Sequence, residues 1–359
     1  MSFMKSRTQL GESIERFRRG FWARETIDRP PVAVAADRAW LPINYLKAPL
    51  STPELRPEDV GPELARTDYE DSFQARPVES DDWLPYVAAW RAVPWLEAVC
   101  GCPVRQGAGS LVPGRFADRV EDLMTSTTRP TWMEALRRET LRLVNTAPSD
   151  CWVSPTILRG TSDVLAAMRG LNEFYLDLHD DPQAIARAAA RVNKLHLEVL
   201  DLHFSLVSPK LGGYGQIFGY WAPGPTTVLQ EDALGMCSPS VYRDLFMQLN
   251  AEIVDHLGGH VLFHLHSTGY KHFRHVLAVP GLAGLEVTVE ANGPRLSDML
   301  PDLREILERS RLILCVDAHV DQLSWVVRQL PKEGFYLVVS DRFVRNHDEF
   351  QTLVRACWR

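Results

Sequence analysis

The chain has 359 residues, of which 45% are hydrophobic and 24% charged, an ordinary globular composition with room for one large core or two smaller ones. Its formal net charge is −7, so nucleic acid and anionic membrane surfaces are poor candidates for partners. No apolar run approaches the roughly 20 residues of a membrane-spanning helix. The six cysteines are scattered along the chain, which is typical of reduced thiols, and we expect a cytoplasmic protein.

The N-terminal part of the chain predicts a helix, one strand and a large irregular segment. Residues 1–29 are expected to form an amphipathic helix and its exit, without the apolar stretch of a secretion signal. Pro31 to Ala36 is wholly apolar, as expected of a strand covered on both faces. Residues 37–94 are rich in Pro, acidic and aromatic residues, and a strand pair with Pro113-Gly114 as its turn is predicted beyond them. We expect residues 37–117 to cap one end of the fold, because a structureless loop of that length would be unusual.

The middle of the chain predicts two helices and two further strands. Helical periodicity extends from Thr131 to Asn145, and Asp181 opens a long helix that ends near Leu206. Trp152 to Leu158 is typical of a strand. Leu211 to Phe218 is rich in glycine, which suits a barrel strand that another group approaches closely.

From Val261 onward, strands and helices alternate regularly. Strand-like runs begin near Val261, Gly284, Arg311 and Phe335, and helices are predicted near 269–278, 296–309, 320–330 and 344–357. A β-α unit about every 25 residues is typical of parallel strands joined by crossover helices. With the earlier strands the count approaches eight, so we predict an α/β fold, a (β/α)8 TIM barrel formed by residues 1–359 as a single domain, with the N-terminal helical extension and the cap. A doubly wound open sheet is the alternative, but it would need a glycine-rich turn after the first strand, and Ala35-Ala36-Asp37-Arg38 is not one.

The strongest chemical signal is a pair of histidines at the end of the strand that begins at Val261. His264 and His266 are two residues apart, so their rings point to one face of a strand while Leu265 points to the other. Two imidazoles at a strand exit offer two nitrogen ligands to one metal ion. The alternative is a pair of polar residues that hydrogen-bond inside a barrel.

Further polar residues occupy the other predicted strand ends, where a barrel of this kind carries its active site. They are Asp37, Arg159, Asp163, Gln216, Glu286, Glu290, Cys315, Asp317, Ser340 and Asp341. Two histidines with carboxylates predict a zinc site that leaves a position for a substrate atom. Glu286 lies in a run that should be buried, so its carboxylate needs a partner. Asp341 precedes Arg342, and a surface ion pair is an equal alternative for it.

Several framework segments resemble a known superfamily. Arg24 to Val32 is similar to an opening "DR-x-PV" strand, Pro94 to Val104 to an "E-A-x-x-G-C-P-V" segment, Gly160 to Gly170 to a turn after a strand, and Cys237-Ser238-Pro239 to the start of an "S-P-x-x-Y/F" helix. Together they resemble the uroporphyrinogen decarboxylase superfamily, and within it the cobalamin-linked methyltransferases similar to methylcobamide:coenzyme M methyltransferase. The decarboxylase branch fits less well, because its Arg-Gln-Ala-Gly-Arg motif is missing.

The resemblance implies a metal site and a methyl-transfer reaction. The zinc methyltransferases carry His-x-Cys-Gly at the central strand and a last cysteine after the final strand. Here His264 matches the histidine, His266 stands at the first cysteine position and Asp341 at the last, and Glu286 falls where the family has an acidic residue. The resemblance therefore implies His264, His266, Glu286 and Asp341 as zinc ligands, and the first three also as catalytic residues. Such a site is harder and more Lewis acidic than one with thiolates.

Three functions follow as hypotheses. The first is a zinc-dependent methyltransferase that moves a methyl group between a small-molecule substrate and a corrinoid protein or a thiol or pterin acceptor. Its substrate-binding residues would be Asp37, Arg159, Asp163 and Gln216, and methylcobalamin would come on a partner protein, because the chain has no Asp-x-His-x-x-Gly cobalamin signature. The second is a metal-free lyase similar to the decarboxylase. The third is a non-catalytic barrel that binds a small ligand.

Overall fold

The computed structural model describes residues 5–35, 50, 52–61, 81–89, 93–107, 111–125 and 129–358. Asp37 and much of the predicted 37–117 cap lie outside these ranges. Within them, no helix combines the length and the apolar character that crossing a membrane requires.

Among the described residues, the longest strands are the last three, which have six residues each. The strands are β1 (Val32–Ala35), β2 (Glu54–Leu55), β3 (Tyr86–Ala88), β4 (Val104–Gln106), β5 (Leu111–Pro113), β6 (Trp152–Ser154), β7 (Tyr214–Gly215), β8 (Trp221–Ala222), β9 (Val228–Leu229), β10 (Leu262–Leu265), β11 (Gly284–Val289), β12 (Arg311–Val316) and β13 (Phe335–Ser340). The four predicted strands of the second half are therefore confirmed.

A six-stranded sheet organises the molecule. Its strand order is β1-β13-β12-β11-β10-β9, and every neighbouring pair is parallel. β3 and β6 form a separate parallel pair, β2, β4 and β5 a small antiparallel sheet, and β7 and β8 an antiparallel pair. This parallel sheet with helices confirms the α/β prediction. The strand pairings of the described residues do not close the sheet into a barrel.

The helices flank the main sheet and follow the predicted rhythm. They are α1 (Arg7–Glu15), α2 (Trp95–Val99), α3 (Pro130–Thr146), α4 (Thr161–Arg169), α5 (Leu171–Asp180), α6 (Pro182–Leu206), α7 (Pro239–Val241), α8 (Met247–His256), α9 (Phe273–Val276), α10 (Leu296–Arg309), α11 (Leu323–Val327) and α12 (His347–Trp358). π-helical turns at Arg16–Trp22 and Tyr242–Phe246 extend α1 and α7, and 3-10 turns lie at Pro57–Asp59, Val120–Thr125, Asp232–Met236, Tyr270–His272 and Val320–Gln322. The side chain of Asp181 caps α6 by accepting a hydrogen bond from the amide of Ala184 at 2.9 Å.

Two predicted features of the chain before β10 are wrong. β4 and β5 pair with Gln106 opposite Leu111 and Val104 opposite Pro113, so Pro113 is a paired residue of β5 and Pro113-Gly114 is not the turn between the two strands. Gly114 instead lies at the open end of the hairpin, where a Cβ would come within 2.9 Å of the Pro103 ring. Leu211 to Phe218 contributes only β7, which pairs with β8 in an antiparallel hairpin.

Side chains of the main sheet alternate between two hydrophobic clusters. Leu312 and Leu314 belong to the larger cluster, which the sheet shares with most of the helices, whereas Ile313 belongs to a smaller one with the N-terminal helix and aromatic residues. The same alternation assigns Leu262 to the smaller cluster and Phe263 to the larger. His264 and Glu286 therefore project to the side of the smaller cluster. The candidate site lies on that side, at the C-terminal ends of the strands.

Candidate metal centre

The candidate site is built from residues at the C-terminal ends of adjacent parallel strands. His264 lies on β10, and His266 follows the end of that strand. β10 pairs with β11 so that His264 lies opposite Glu286, and Glu290 follows the end of β11. Asp232 follows β9, the neighbour of β10 on its other side. Since parallel strands end at one edge of a sheet, these side chains meet there.

Each histidine has its Nδ1 atom paired with a glutamate. Nδ1 of His264 contacts Oε2 of the fully buried Glu286, and Nδ1 of His266 lies 3.2 Å from Oε1 of Glu290. The second oxygen of Glu286 accepts a hydrogen bond from the Thr288 hydroxyl at 2.9 Å. A carboxylate on one ring nitrogen fixes the orientation of an imidazole and leaves Nε2 for a ligand. Both rings are therefore oriented as metal-binding histidines commonly are.

Asp232, His264 and His266 form a cluster that could hold a metal ion. One ligand atom from each lies within 4.8 Å of the other two. The two imidazole rings lie edge to face with their centroids 4.3 Å apart, and Nε2 of His266 is 4.0 Å from Oδ2 of Asp232. His264 is buried, whereas His266 and Asp232 are each about 40% exposed as side chains. The three groups thus converge where the buried sheet opens to solvent.

A reciprocal set of hydrogen bonds holds the segment that carries Asp232. Asp163 at the start of α4 accepts hydrogen bonds from the amides of Asp232 at 3.2 Å and Ala233 at 2.6 Å. In return, Glu231 accepts a hydrogen bond from the amide of Ser162 at 2.8 Å and contacts the hydroxyl of the same residue. We call this arrangement the Asp163–Glu231 clasp.

Gly160 completes the clasp through close packing. A Cβ at this position would lie 1.8 Å from the carbonyl oxygen of Gln230 and 2.6 Å from the Glu231 carboxylate. Any side chain there would push the two segments apart, so only glycine permits this approach. Gly160 is also the residue that immediately precedes α4, as its N-cap.

Burial and neighbouring charges shift the protonation of several groups at the site. Burial alone would lower the pKa of His264, but the carboxylate of Glu286 outweighs it and raises that pKa to about 9. Burial, followed by the charge of Asp232, raises the pKa of Asp163 to about 7. Burial, followed by the charge of Asp163, raises the pKa of Glu231 to about 8, so the clasp is not fully ionised at neutral pH. Burial and Glu286 also raise the pKa of Cys315 well above its usual range, which keeps this thiol neutral.

The cluster opens into a cavity of about 450 Å³, within the size range of small-molecule sites. Its polar lining includes the three cluster residues with Glu290, Arg159 and Gln216. Much of the remaining wall is apolar and comes from Val93, Pro94, Leu111, Val112, Pro113, Ile157, Ile217, Phe218, Val228, Val316 and Val338. Residues 93–94 and 111–113 belong to the predicted cap segment, and they form part of this wall.

Two arginines line the cavity and have different environments. Nε of Arg159 contacts Oε1 of Glu97, a residue of α2 that is almost fully buried. Arg342 contacts Asp317 through Nη2 and lies 3.4 Å from the hydroxyl of Ser340 through Nε.

The structure brings together only part of the predicted site. His264, His266, Arg159 and Gln216 all line the cavity, and Glu286 lies behind His264. Asp163 holds the Asp232 segment and is not part of the cavity wall. The Asp341 amide donates to the Ala35 carbonyl at 2.9 Å, and Asp341 is not among the described residues that line the cavity. Its role as a ligand, like the substrate-binding role of Asp37, stays a prediction.

Asp232 is the site residue that sequence reasoning missed. It follows β9, which has only two residues, Val228 and Leu229, and a run this short has no detectable periodicity. The one usable signal was the acidic pair Glu231-Asp232 directly after that short apolar run.

Comparisons with known proteins identify the fold. No protein-family model matches the sequence, and no curated protein sequence matches it. Among solved structures, the chain is similar to a methyltransferase from Methanosarcina mazei, with a TM-score of 0.58 and 14% sequence identity over 96% of this chain and 98% of that one. At that identity the likeness shows a shared fold over nearly the whole of both chains.

Proposed function

We propose that the protein is a zinc-dependent methyltransferase that moves a methyl group between a small molecule and a corrinoid on a separate protein, or a thiol or pterin acceptor. The Asp232–His264–His266 cluster is the observation that carries this proposal, since its ligand atoms converge within 4.8 Å in a cavity. A fold shared with a methyltransferase supports it. A closed (β/α)8 barrel and kinship with the cobalamin-linked branch of the uroporphyrinogen decarboxylase superfamily belong to the same proposal.

The residues of the cluster fit zinc. Two imidazoles and one carboxylate are a donor set that catalytic zinc sites use, and they leave a fourth position for a substrate atom. Glu286 and Glu290 already occupy the Nδ1 atoms, so Nε2 of each ring is the atom that would bind. Zinc supplies a Lewis acid at such a site.

The chain's own residues would orient the metal ligands, hold the backbone that carries them and shield a bound small molecule from water. Glu286 and Glu290 hold the Nδ1 protons of His264 and His266 and so fix both rings. The Asp163–Glu231 clasp fixes the backbone on either side of Asp232. The apolar cavity wall limits the water that can reach a bound small molecule.

Metal content tests the zinc site directly. Protein purified without chelator should contain close to one zinc ion per chain by elemental analysis, because the three ligands are complete. His264→Ala should lose most of that metal. The matched control is His256→Ala, since His256 also pairs with an acid, Asp201, but this pair is exposed at the end of α8 and lies outside the cavity. Little metal in the wild type, unchanged by His264→Ala, would contradict the proposal and favour the metal-free lyase.

Methyl transfer is tested with methylcobalamin as the probe. Loss of its methyl group in the presence of thiol, pterin or alcohol acceptors can be followed by absorbance. We expect wild-type protein and His256→Ala to accelerate it, and His266→Ala or a strong chelator to abolish the acceleration. Activity that survives both treatments would contradict a metal-dependent reaction.

A further inference from the structure

Arg159 has side-chain donors that the described residues leave without partners. Its Nε atom is occupied by Glu97, and among the described residues neither terminal nitrogen of the guanidinium has a hydrogen-bond partner. Arg159 lines the cavity. Arg342, the other arginine of the wall, differs because its terminal nitrogen Nη2 contacts Asp317 and its Nε contacts the Ser340 hydroxyl. An arginine held by a buried carboxylate has lost much of its conformational freedom, so its remaining donors are preorganised for a ligand.

Gln216 offers a second donor on the same wall. It is 1% exposed and follows β7. Its side-chain oxygen accepts a hydrogen bond from the amide of Phe218 at 3.3 Å, which orients the side chain and leaves the amide nitrogen without a partner among the described residues. A buried amide of this kind is uncharged and requires an acceptor.

The charges of the wall do not favour a charged ligand. Apart from the two histidines, the charged groups of the described cavity wall are four carboxylates (Glu97, Asp232, Glu290 and Asp317) and two guanidiniums. Each guanidinium is already paired with one of the four. The two carboxylates that remain adjoin His266, and a divalent ion at the cluster would balance them. An anionic ligand would meet no uncompensated positive charge, and a cation would compete with the metal.

We propose that the cavity binds an uncharged, largely apolar small molecule whose carbonyl or ether oxygen accepts hydrogen bonds from Arg159, with Gln216 as a further donor. The apolar wall receives the body of the ligand, and the cavity volume accommodates a molecule of one or two rings. This inference names the class of small-molecule substrate, and it rests on the proposed function for the statement that this cavity is where the reaction occurs.

Three probes of nearly equal shape test the ligand class. Benzamide is neutral with an oxygen acceptor, benzoate is an anion and benzylamine is a cation at pH 7. Their dissociation constants are measured by ligand-observed NMR titration of the full-length protein as purified. We expect benzamide to bind most tightly, and Arg159→Met to weaken it about tenfold, the effect of losing a hydrogen bond to a charged donor.

Matched variants separate binding from folding. Arg159→Met leaves Glu97 buried without its partner, so the double variant Arg159→Met/Glu97→Gln repeats the test without that unpaired charge. Glu97→Gln alone keeps the donors of Arg159 and should retain benzamide binding. Arg342→Met is the control for loss of a cavity arginine, and it should change the dissociation constant for benzamide by less than about twofold.

Probe binding tests the ligand class, and zinc content tests the metal site independently. Tighter binding of benzoate or benzylamine, no binding of any probe, or benzamide binding that Arg159→Met does not weaken would overturn it. Elemental analysis of the same samples reports on the proposed function separately. Arg159→Met should keep its zinc, whereas His264→Ala should lose zinc and still bind benzamide in an Arg159-dependent way.

Discussion

Two acidic sites at opposite ends of the sheet show how the same residue types serve different purposes. At the N-terminal end of β1, both oxygens of the buried Asp82 are saturated. One accepts from Ser13 at 3.1 Å and Arg16 at 2.9 Å, and the other contacts Arg29 and the amide of Val32. At the C-terminal end, the half-exposed Asp232 has its Oδ2 atom 3.3 Å from the side-chain nitrogen Nε2 of Gln230 and 4.0 Å from Nε2 of His266.

A structural carboxylate has protein donors on both oxygens, whereas a functional one keeps an oxygen open to a ligand. Asp82 has a donor for each lone-pair direction, and although burial opposes its ionisation, Arg29, Arg16 and Lys5 hold its pKa below the usual range. Nothing remains for a ligand to bind. Asp232 and the two histidines keep atoms for which the described part of the chain provides no hydrogen-bond partner.

Removal of Asp82 should have the largest effect. Asp82→Ala leaves Arg16 and Arg29 without their shared partner next to β1, and breaking a buried pair in this way typically costs about 3–5 kcal/mol of unfolding free energy. Urea denaturation of the wild type and the variant measures this loss of unfolding free energy. Asp317→Ala is the control, since the exposed Asp317–Arg342 pair should be worth at most about 1 kcal/mol. Equal losses for the two variants would contradict the contrast.

Two buried histidines of α6 sharpen the contrast, because they lack the acidic partner that His264 has. Burial lowers the pKa of His196 to about 4, and that of His203 to about 3, from the usual 6.5. The neutral rings therefore stabilise the fold above pH 6.5, and this stability is lost as the pH falls toward 4. Between pH 6.5 and 5 the loss should be roughly 2–4 kcal/mol for the pair.

The quantity to measure is the difference in unfolding free energy between the wild type and a variant without the two rings, because the contributions of all other titrating groups then cancel. Urea denaturation of the wild type and of His196→Phe/His203→Phe at several pH values isolates the contribution of the two rings. The wild type should lose more stability than the variant over this range. Parallel curves would show that neither ring stays neutral in the folded protein.

The Asp163–Glu231 clasp should control metal affinity more than stability. Asp163→Asn replaces the carboxyl group that accepts hydrogen bonds from the amides of Asp232 and Ala233 with a carboxamide, which has one acceptor oxygen instead of two, so we expect zinc to bind about tenfold more weakly in a chelator competition. Asp244→Asn, at an exposed acid on a helix, is the control. Unchanged zinc affinity in Asp163→Asn would show that the segment is held without the clasp.

The smallest effect is expected at Glu290. Glu290→Gln keeps an acceptor for Nδ1 of His266 but removes its charge, so zinc affinity should fall only a few fold. The same competition assay measures it. Glu286→Gln should lower the zinc affinity more than Glu290→Gln does, because Glu286 is fully buried against His264. A reversed order of the two variants would contradict the assignment of Glu286 as the principal partner.

The sequence predicted the parts of the fold where local patterns agree with tertiary structure. Strands such as β12 and β13 are continuous apolar runs between amphipathic helices, so their positions could be read directly. The common face of His264 and His266 followed from strand alternation. Asp232 could not be found in this way, because its position depends on the contact between α4 and the segment after β9, which joins residues about 70 positions apart.

The close approach of Gly160 to the Gln230 carbonyl has a consequence for variation of this protein. In a library that randomises every position, this residue should tolerate no replacement, although it touches neither the cavity nor the metal ligands. A homologue that carries alanine there would need a different path for the chain after β9. Position 160 is therefore a simple marker for recognising relatives that share this centre.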